Sequence, residues 1–386
     1  MNILYVVNVD IENPAFGNAQ RSRLVYDALC KIGKVHVLDT RNLKVRSQSG
    51  IKRVVNAIWQ RVAINLCGNC LVPIYPFPLR WSTEELFPDV KFDVVVARYL
   101  YSVGPMELWK VSRRLYVDID DFPMQVFETV YASKYGFLRR IISRAINGLF
   151  CRYVIGKLAG CWIANPEQVH LVKSRCPCRS LANIPFVKAL DVPKADYDRR
   201  DISDCTQYVF TVGLMSYEPN YLGIDAFLDK VWPSVNARFP AMKYKIAGKG
   251  IPQEYKCKWA KIPNVEMLGY VDDIAQLYVN CIATIVPVTC GGGTCIKTLE
   301  SMAYSRICLA TPFGARGLPE EVLRDGRNGV MVYDSIDSFL LAIDKIMNNN
   351  EWRLNCEKAA REYIKANYSV EMFEKTVLDM VQKNNL

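Results

Sequence analysis

The chain has 386 residues, 51% of them hydrophobic, and a formal net charge of +10 at pH 7. That length suits two domains with separate cores, and the lack of any uncharged apolar run of about 18 residues excludes a membrane-spanning helix. The surplus positive charge indicates an anionic partner. No basic stretch leads into an apolar segment at the start, so we expect no secretory signal and a cytoplasmic protein. The 14 cysteines do not have the spacing of a disulfide framework, so we expect reduced thiols. Only 2 histidines are available as further ligands, so we expect no bound metal.

The first half alternates short apolar runs with helical patterns. A helix is predicted at 21–31, and the apolar runs that predict strands are 3–9, 35–38, 93–97, 115–119 and 161–164. Continuous apolar strands separated by helices are typical of a parallel sheet covered on both faces. We therefore predict an α/β domain over residues 1–187.

A polar segment without a period follows at 188–206, and we interpret it as an interdomain linker. The alternation then restarts over 207–368, with strands predicted at 208–212, 243–247, 265–268, 282–286, 307–310 and 330–333. Helices are predicted at 221–231, 272–279 and 295–304, and from 335 onward. Two doubly wound halves would bind ligands at the carboxyl ends of their strands, where we expect a cleft.

Two segments carry most of the excess charge. Residues 44–66 and 134–157 contain no acidic residue, and their apolar residues recur at helical spacing. Their basic residues are Lys44, Arg46, Lys52, Arg53, Arg61, Lys134, Arg139, Arg140, Arg144, Arg152 and Lys157. Basic amphipathic helices suit an anionic membrane surface, on the cytoplasmic face, but equally suit packed helices with solvated basic sides. No nucleic-acid motif accompanies the charge, so nucleic acid is not an expected partner.

The most informative stretch is a glycine-rich loop between a strand and a helix, at 287–303. Glycines allow backbone amides to approach an anion, and Thr294 is a candidate cap for the helix that follows. Amides at a helix start favour phosphate, and Lys297 lies one turn into that helix. Glu300, three residues further, lies on about the same face. A tight turn with a surface lysine and glutamate is the alternative interpretation.

The order of motifs in the second half resembles the retaining family 4 glycosyltransferases of the GT-B fold (glycosyl transferases group 1), especially members that assemble surface polysaccharides or lipid-linked glycans. The matching stretches are 212–220, 231–233, 247–250, 265–273, 291–303, 314–318 and 325–329. The resemblance implies two Rossmann-like domains facing a central cleft. It also implies a metal-independent enzyme that transfers a sugar from a nucleoside-diphosphate donor, with retention, to a glycan or lipid-linked acceptor. The nucleotide sugar would be a co-substrate, and no cofactor is expected.

The resemblance also implies residue roles. Glu300 would hold the donor ribose, and Tyr270 and Val271 would lie near the nucleobase. The residues expected around the diphosphate or sugar are Gly213, Asn220, Gly292, Gly293, Thr294 and Lys297. The chain departs from the family pattern at two places. Position 292 holds glycine where many members have glutamate. The Arg and Lys pair that commonly follows the first strand of this domain is replaced by Pro219 and Asn220. Lys297 is the candidate to replace that charge and to stabilise the leaving diphosphate.

The final segment, 369–386, is expected to return to the first domain as a helix, as in relatives. Acceptor-side candidates are Gly17, Asn18 and Arg21 in the loop after the first strand, and Arg98 at a later strand end. A plain loop carries equal weight for the first three.

Asp120 and Asp121 end another strand, and like charges there could raise one pKa and create a proton acceptor. Helix capping is an equal alternative for both aspartates.

Two other functions stay open on the sequence alone. The missing glutamate and cation pair suit a non-catalytic glycosyltransferase-like subunit, and the architecture suits a sugar-nucleotide epimerase. A dinucleotide oxidoreductase is not expected, because no Gly-x-Gly-x-x-Gly follows the first strand.

Overall fold

The computed structural model describes residues 1–12, 17–42, 50–67, 86–185, 207–292 and 294–383. The chain forms two compact units. The first comprises Met1–Asn183, Gly291–Gly293 and Val370–Leu386, and the second comprises Ile184–Cys290 and Thr294–Ser369. The predicted linker at 188–206 lies outside the described residues.

The first unit is built on a six-stranded parallel sheet in the order β2-β1-β3-β4-β5-β6. Its strands are β1 (Asn2–Val7), β2 (Lys34–Asp39), β3 (Val94–Arg98), β4 (Leu115–Asp120), β5 (Gly160–Ile163) and β6 (Cys178–Ser180). Every residue of β3 and β5 is buried, as expected for strands covered on both faces. The predicted parallel sheet is confirmed, and β6 adds a three-residue strand that its short apolar content did not signal.

Helices and helical turns cover this sheet. The α-helices are α1 (Gly17–Cys30), α2 (Gly50–Cys67), α3 (Val103–Met106), α4 (Pro123–Val126), α5 (Phe137–Ile155) and α6 (Val169–Lys173). A π-helical turn, Phe127–Tyr131, follows α4. Short 3-10 turns occupy Thr40–Asn42, Leu100–Ser102, Leu108–Lys110, Ala132–Lys134 and Pro166–Gln168.

The last helix of the chain, which we number α15 (Val370–Lys383), belongs to the first unit. It packs against α1, where the guanidinium of Arg21 lies 5.6 Å from the ring centroid of Phe373. The indole Nε1 of Trp162 donates to the carbonyl oxygen of Thr376 at 3.4 Å. Apolar residues of α15, among them Val377 and Val381, are fully buried.

The second unit has a six-stranded parallel sheet in the order β12-β11-β10-β7-β8-β9. Its strands are β7 (Tyr208–Val212), β8 (Lys243–Ala247), β9 (Val265–Gly269), β10 (Ala283–Val286), β11 (Cys308–Ala310) and β12 (Val330–Val332). The order reverses between β7 and β10, which is the topological switch point of a doubly wound sheet. Ligands of such sheets bind beyond the carboxyl ends of the strands at that point.

The helices of the second unit complete the alternation. They are α7 (Glu218–Lys230), α8 (Trp232–Arg238), α9 (Gln253–Trp259), α10 (Ala275–Asn280), α11 (Ile296–Ala303), α12 (Glu320–Leu323), α13 (Ile336–Asn348) and α14 (Asn350–Asn367), with a 3-10 turn at Arg324–Gly326. The predicted α/β class is therefore confirmed for both units.

Prolines mark two boundaries that the sequence analysis misplaced. Helix α7 begins at Glu218 rather than at residue 221, with Pro219 in its first turn. Pro233 lies in the first turn of α8 and so opens a further helix directly after the one predicted to end at residue 231. Proline lacks the N–H that a first turn leaves unbonded, so it fits a helix start at no cost.

Candidate functional site

Three residues predicted to bind a ligand come together at the switch point of the second unit. Gly213 follows β7, Asn220 lies in the first turn of α7, and Lys297 lies in the first turn of α11. The ammonium Nζ of Lys297 donates to Oδ1 of Asn220 at 2.8 Å. Nδ2 of Asn220 in turn donates to the carbonyl oxygen of Leu214 at 2.7 Å. Asn220 is buried, so this amide fixes the lysine head in one position.

The packing around Gly213 leaves little room for a side chain. A Cβ there would lie 2.6 Å from Cε of Lys297 and 3.2 Å from Nδ2 of Asn220. The neighbouring Gly248 has φ of +140°, and a Cβ there would lie 1.8 Å from the carbonyl oxygen of Gly213. Side chains at either position would therefore displace the lysine or the backbone around it.

No described carboxylate neutralises the charge of Lys297. Within the described residues, no carboxylate forms an ion pair with it, and its hydrogen-bond partner Asn220 is a neutral amide. Lys297 is partly buried. Attraction between this ammonium and an anion is therefore screened less by water than it would be on an open surface.

The amino end of α11 adds a second favourable feature for an anion. The helix begins at Ile296, and the residue at the cap position is Cys295, whose side chain makes no capping hydrogen bond. The expectation that Thr294 caps this helix is therefore wrong, because Thr294 lies one residue too early. Instead, Thr294 contacts Gly317, where a Cβ would lie 2.5 Å from the threonine Oγ1 and where φ is +86°. Backbone amides in the first turn of a helix attract phosphate.

Glu300 lies one turn beyond Lys297 on α11 and is partly buried. Burial, and then the nearby carboxylate of Glu300, raise the pKa of Tyr278 well above its ordinary value. Glu300 thus lies close to the buried Tyr278. Its helix keeps Glu300 on the same side as Lys297, at the spacing of neighbouring side chains on a helix.

Tyr270 and Val271 follow β9, at the same edge of the sheet. Tyr270 is 60% exposed, and Nζ of Lys249 lies 5.8 Å from its ring centroid. Gly269, just before it, has φ of +70°, which turns the chain out of the strand. The exposed ring can stack on a flat ligand.

The start of the glycine loop belongs to the first unit. The hydroxyl of Thr129 donates to the carbonyl oxygen of Gly291 at 2.8 Å. Gly292 lies against Asp121, because a Cβ at 292 would be 2.4 Å from Cγ of that aspartate. A glutamate at 292 would therefore require the Asp121 side chain to move. Gly293 lies outside the described residues.

The strand ends of the first unit hold a buried cluster of charges. Arg21 donates to both carboxylate oxygens of Asp118 at 2.8 Å, through Nε and Nη2. Arg98 donates to the same Asp118, and also to Oδ2 of Asp120 at 3.0 Å. Both guanidiniums are buried, and two aspartates balance two arginines. The donors of Arg21 and Arg98, the two arginines predicted on the acceptor side, therefore serve Asp118, Asp120 and nearby oxygens in this structure.

A third aspartate, Asp118, lies two residues before the candidate Asp120 on strand β4. Burial alone would raise the pKa of Asp118, but the adjacent guanidiniums of Arg21 and Arg98 lower the pKa below its ordinary value. Asp118 therefore stays ionised rather than becoming a proton acceptor. Sequence reasoning missed its role, although a charged residue inside the buried strand β4 is a signal that a partner must exist.

Backbone strain accumulates at this edge. Asp120 has φ of +60° and Tyr99 has φ of +66°, although neither is glycine. Such conformations cost about 1–3 kcal/mol each and cluster where a side chain must be aimed. Asp120 is 14% exposed, so its carboxylate reaches the surface while Arg98 holds it. Asp120 and Asp121 thus stay candidates for chemistry at this edge.

The acceptor-side candidates Gly17 and Asn18 lie at the start of α1. Gly17 begins α1 and is exposed, and Oδ1 of Asn18 accepts from the backbone N–H of Ala19 at 2.9 Å. His36 packs edge-on against Phe87 and Phe92, which makes it part of the core. Over the described ranges, no group of three or more metal-ligating side chains is close enough to hold an ion.

Comparison with known proteins agrees with this architecture. Residues 206–349 match the family model described as glycosyl transferases group 1. A search of curated protein sequences finds no match. Several solved structures share the fold at low identity. TarM is 18% identical with a TM-score of 0.58, over 78% of this chain and 57% of that chain.

Other structures match over their full length. Sucrose-phosphate synthase from Thermosynechococcus elongatus is 13% identical with a TM-score of 0.66, over 100% of this chain and 99% of that chain. HepE from Anabaena, in complex with UDP-glucose, is 12% identical with a TM-score of 0.64, over 99% of this chain and 100% of that chain. The class defined by two Rossmann-like units is GT-B. More particularly, the match to the glycosyl transferases group 1 model falls within the second unit, over residues 206–349.

Proposed function

We propose that the chain is a glycosyltransferase whose second unit binds a nucleoside-diphosphate sugar. The observation that carries this proposal is the ammonium of Lys297, held by the neutral amide of Asn220 at 2.8 Å in the first turn of α11, with no ion pair to a carboxylate of the described residues. A diphosphate bears the charge and the acceptor oxygens that these two features attract. The family match over residues 206–349 supports the same function.

Each group around this lysine has a proposed part in donor binding. The carboxylate of Glu300 accepts hydrogen bonds from the ribose hydroxyls, and Tyr270 packs beside the nucleobase. Gly213 allows the diphosphate or sugar to approach the end of β7. TarM and HepE have been crystallised in complex with UDP, so uridine is the first nucleobase to test.

The proposed reaction is transfer of the sugar to a glycan or lipid-linked acceptor, with retention of configuration and without a metal. The glycosidic bond to the diphosphate breaks, and the acceptor oxygen forms the new bond to the same carbon. Lys297 and the amides of α11 stabilise the negative charge that develops on the leaving diphosphate. The acceptor's proton passes to a base, for which Asp120 and Asp121 are the candidates.

A thermal-shift screen with UDP, GDP, ADP, CMP and their common sugar conjugates tests donor binding. A ligand that binds only the native state raises the midpoint of unfolding. We expect one nucleotide diphosphate to raise the Tm of the wild type, and the Glu300→Ala variant to lose most of that rise. If no nucleotide at millimolar concentration shifts the Tm, a non-catalytic subunit becomes the better description.

A product assay separates transfer from the remaining alternative. Release of nucleoside diphosphate that depends on an added glycan or lipid-linked acceptor supports a transferase. Conversion of the nucleotide sugar to a different nucleotide sugar would instead identify an epimerase.

A further inference from the structure

Helix α2 exposes its apolar side. Ile51, Val54, Val55, Ile58 and Val62 are between 36% and 79% exposed. Their spacing of three and four residues places them in one stripe along the helix. Asn56, on another side, is only 7% exposed. The amphipathic pattern was predicted from sequence, but its apolar stripe points to solvent instead of into the core.

Helix α5 also exposes its apolar side to solvent. Phe137 and Leu138 are 72% and 69% exposed, and Leu149 is 63% exposed. Ser143 and Asn147 are fully buried on the opposite side. Large apolar side chains therefore face solvent while polar side chains face the protein. Apolar patches of this kind mark a surface that another phase or partner covers.

The two helices form a single surface. They contact each other, and the rings of Trp59 and Phe150 lie 6.4 Å apart. Neither helix contains an acidic residue. The exposed cations described on them include Lys52, Arg61, Arg139 and Arg152, and also Arg144, which pairs with Glu128. We call this surface, made of the outward residues of α2 and α5, the basic apolar face.

We infer that the basic apolar face docks the protein onto an anionic lipid bilayer. Exposed aliphatic and aromatic side chains can enter the boundary between headgroups and acyl chains, while the surrounding cations meet lipid phosphates. Nucleic acid would use the cations but has no place for the aliphatic stripe. The contact is peripheral, because no helix in the described part of the chain is long and apolar enough to cross a bilayer.

Charge complementarity selects this occupant over a second copy of the chain. Two basic apolar faces brought together would place like charges opposite each other without any acid on α2 or α5 to pair them. A bilayer that contains anionic lipid instead supplies a continuous negative surface. The inference concerns the first unit and does not require a bound donor.

Vesicle co-sedimentation tests the inference directly. The full chain is mixed with phosphatidylcholine vesicles, with or without phosphatidylglycerol, at low and high salt. We expect binding only to the anionic vesicles, and weaker binding as salt rises, because exposed charges are screened.

Two sets of variants separate the apolar and charged contributions. The double variant Phe137→Glu with Leu138→Glu should lose at least about tenfold in vesicle affinity, since it removes apolar burial and adds negative charge. Leu341→Glu is its control, because Leu341 is 67% exposed on a helix of the second unit. Arg139→Gln with Arg152→Gln should lose about fivefold for each charge. Its control is Arg327→Gln with Lys358→Gln, which removes two exposed charges from the second unit.

Three results would overturn the inference. One is no binding to anionic vesicles at low salt by a protein whose unfolding transition is normal. Another is equal binding by the variants of the face and their controls. The third is a wild-type dimer in light scattering that the Phe137 and Leu138 substitutions split, without any vesicle binding. The thermal shift with nucleotides, measured on the same samples, keeps these results separate from a failure of donor binding.

Discussion

Both sheets carry cations at their carboxyl edges, but the two units treat that charge differently. In the first unit, Arg21 and Arg98 are buried against Asp118 and Asp120, so the charges cancel. In the second unit, Lys297 has a neutral amide as its hydrogen-bond partner, and its charge remains available. A positive residue at a strand end is therefore not a binding residue by virtue of position. What matters is whether a carboxylate already satisfies it.

The largest expected effect is on the stability of the first unit, whose buried charge cluster comprises Arg21, Arg98, Asp118 and Asp120. Asp118→Asn leaves two buried guanidiniums short of one negative charge, and removing one partner of a buried ion pair typically costs about 3–5 kcal/mol. Unfolding of the first unit, followed by calorimetry or denaturant titration, should shift accordingly. The control is Asp27→Asn, since Asp27 pairs with Arg23 on the surface, where both side chains are over 40% exposed. Equal stability of both variants would contradict a structural role for the cluster.

Substitution of Lys297 should affect catalysis rather than stability. Lys297→Gln should leave stability nearly unchanged but lower kcat by about 10²–10³, the range seen when one group that stabilises developing charge is removed. Binding of a nucleoside diphosphate should weaken more than binding of the nucleoside alone. Lys230→Gln is the control, because Lys230 is exposed at the carboxyl end of α7. Unchanged diphosphate affinity in Lys297→Gln would refute the assigned role.

A substitution at Asn220 would give Lys297 a carboxylate partner, as the arginines of the first unit already have. Asn220→Asp places a carboxylate against Lys297, and the neutralised lysine should bind diphosphate about tenfold more weakly, the effect of roughly 1.4 kcal/mol. It also loses the donor to the carbonyl oxygen of Leu214. Asn220→Ala removes both this donor and the acceptor for Lys297, without adding charge. Affinity should therefore fall further in the aspartate variant, and the reverse order would argue against the electrostatic explanation.

The smallest effect is expected at Gly213. The added methyl group of Gly213→Ala would lie 2.6 Å from Cε of Lys297, near the end of a flexible side chain. The lysine can shift away, so the unfolding midpoint should move little while KM for the donor rises a few-fold. Steady-state kinetics checks this. A large loss of stability with unchanged KM would show that Gly213 serves the backbone alone.

Local patterns predicted much of the fold. Continuous apolar strands alternating with helices predicted two parallel sheets, because burial on both faces leaves a direct trace in sequence. The proline positions were interpreted less well, since Pro219 and Pro233 are as compatible with a helix start as with a helix end. A periodic apolar stripe also does not reveal which side of α2 or α5 faces the core.

The site was predictable only where its members are close along the chain. Lys297 and Glu300 share one helix turn, so their common side follows from spacing. Arg21 and Asp118 are 97 residues apart in the chain, and the sequence alone does not indicate that they form an ion pair. The contact between Asn220 and Lys297 spans 77 residues in the same way. Partners that distant are set by sheet topology rather than by local pattern.

A crystal structure of the protein with UDP is the most direct measurement of the central claim. We predict that diphosphate oxygens lie within hydrogen-bond distance of Nζ of Lys297 and of backbone amides in the first turn of α11, with Glu300 on the ribose. A nucleotide bound elsewhere, with Lys297 still held by Asn220 and no phosphate near it, would contradict the claim.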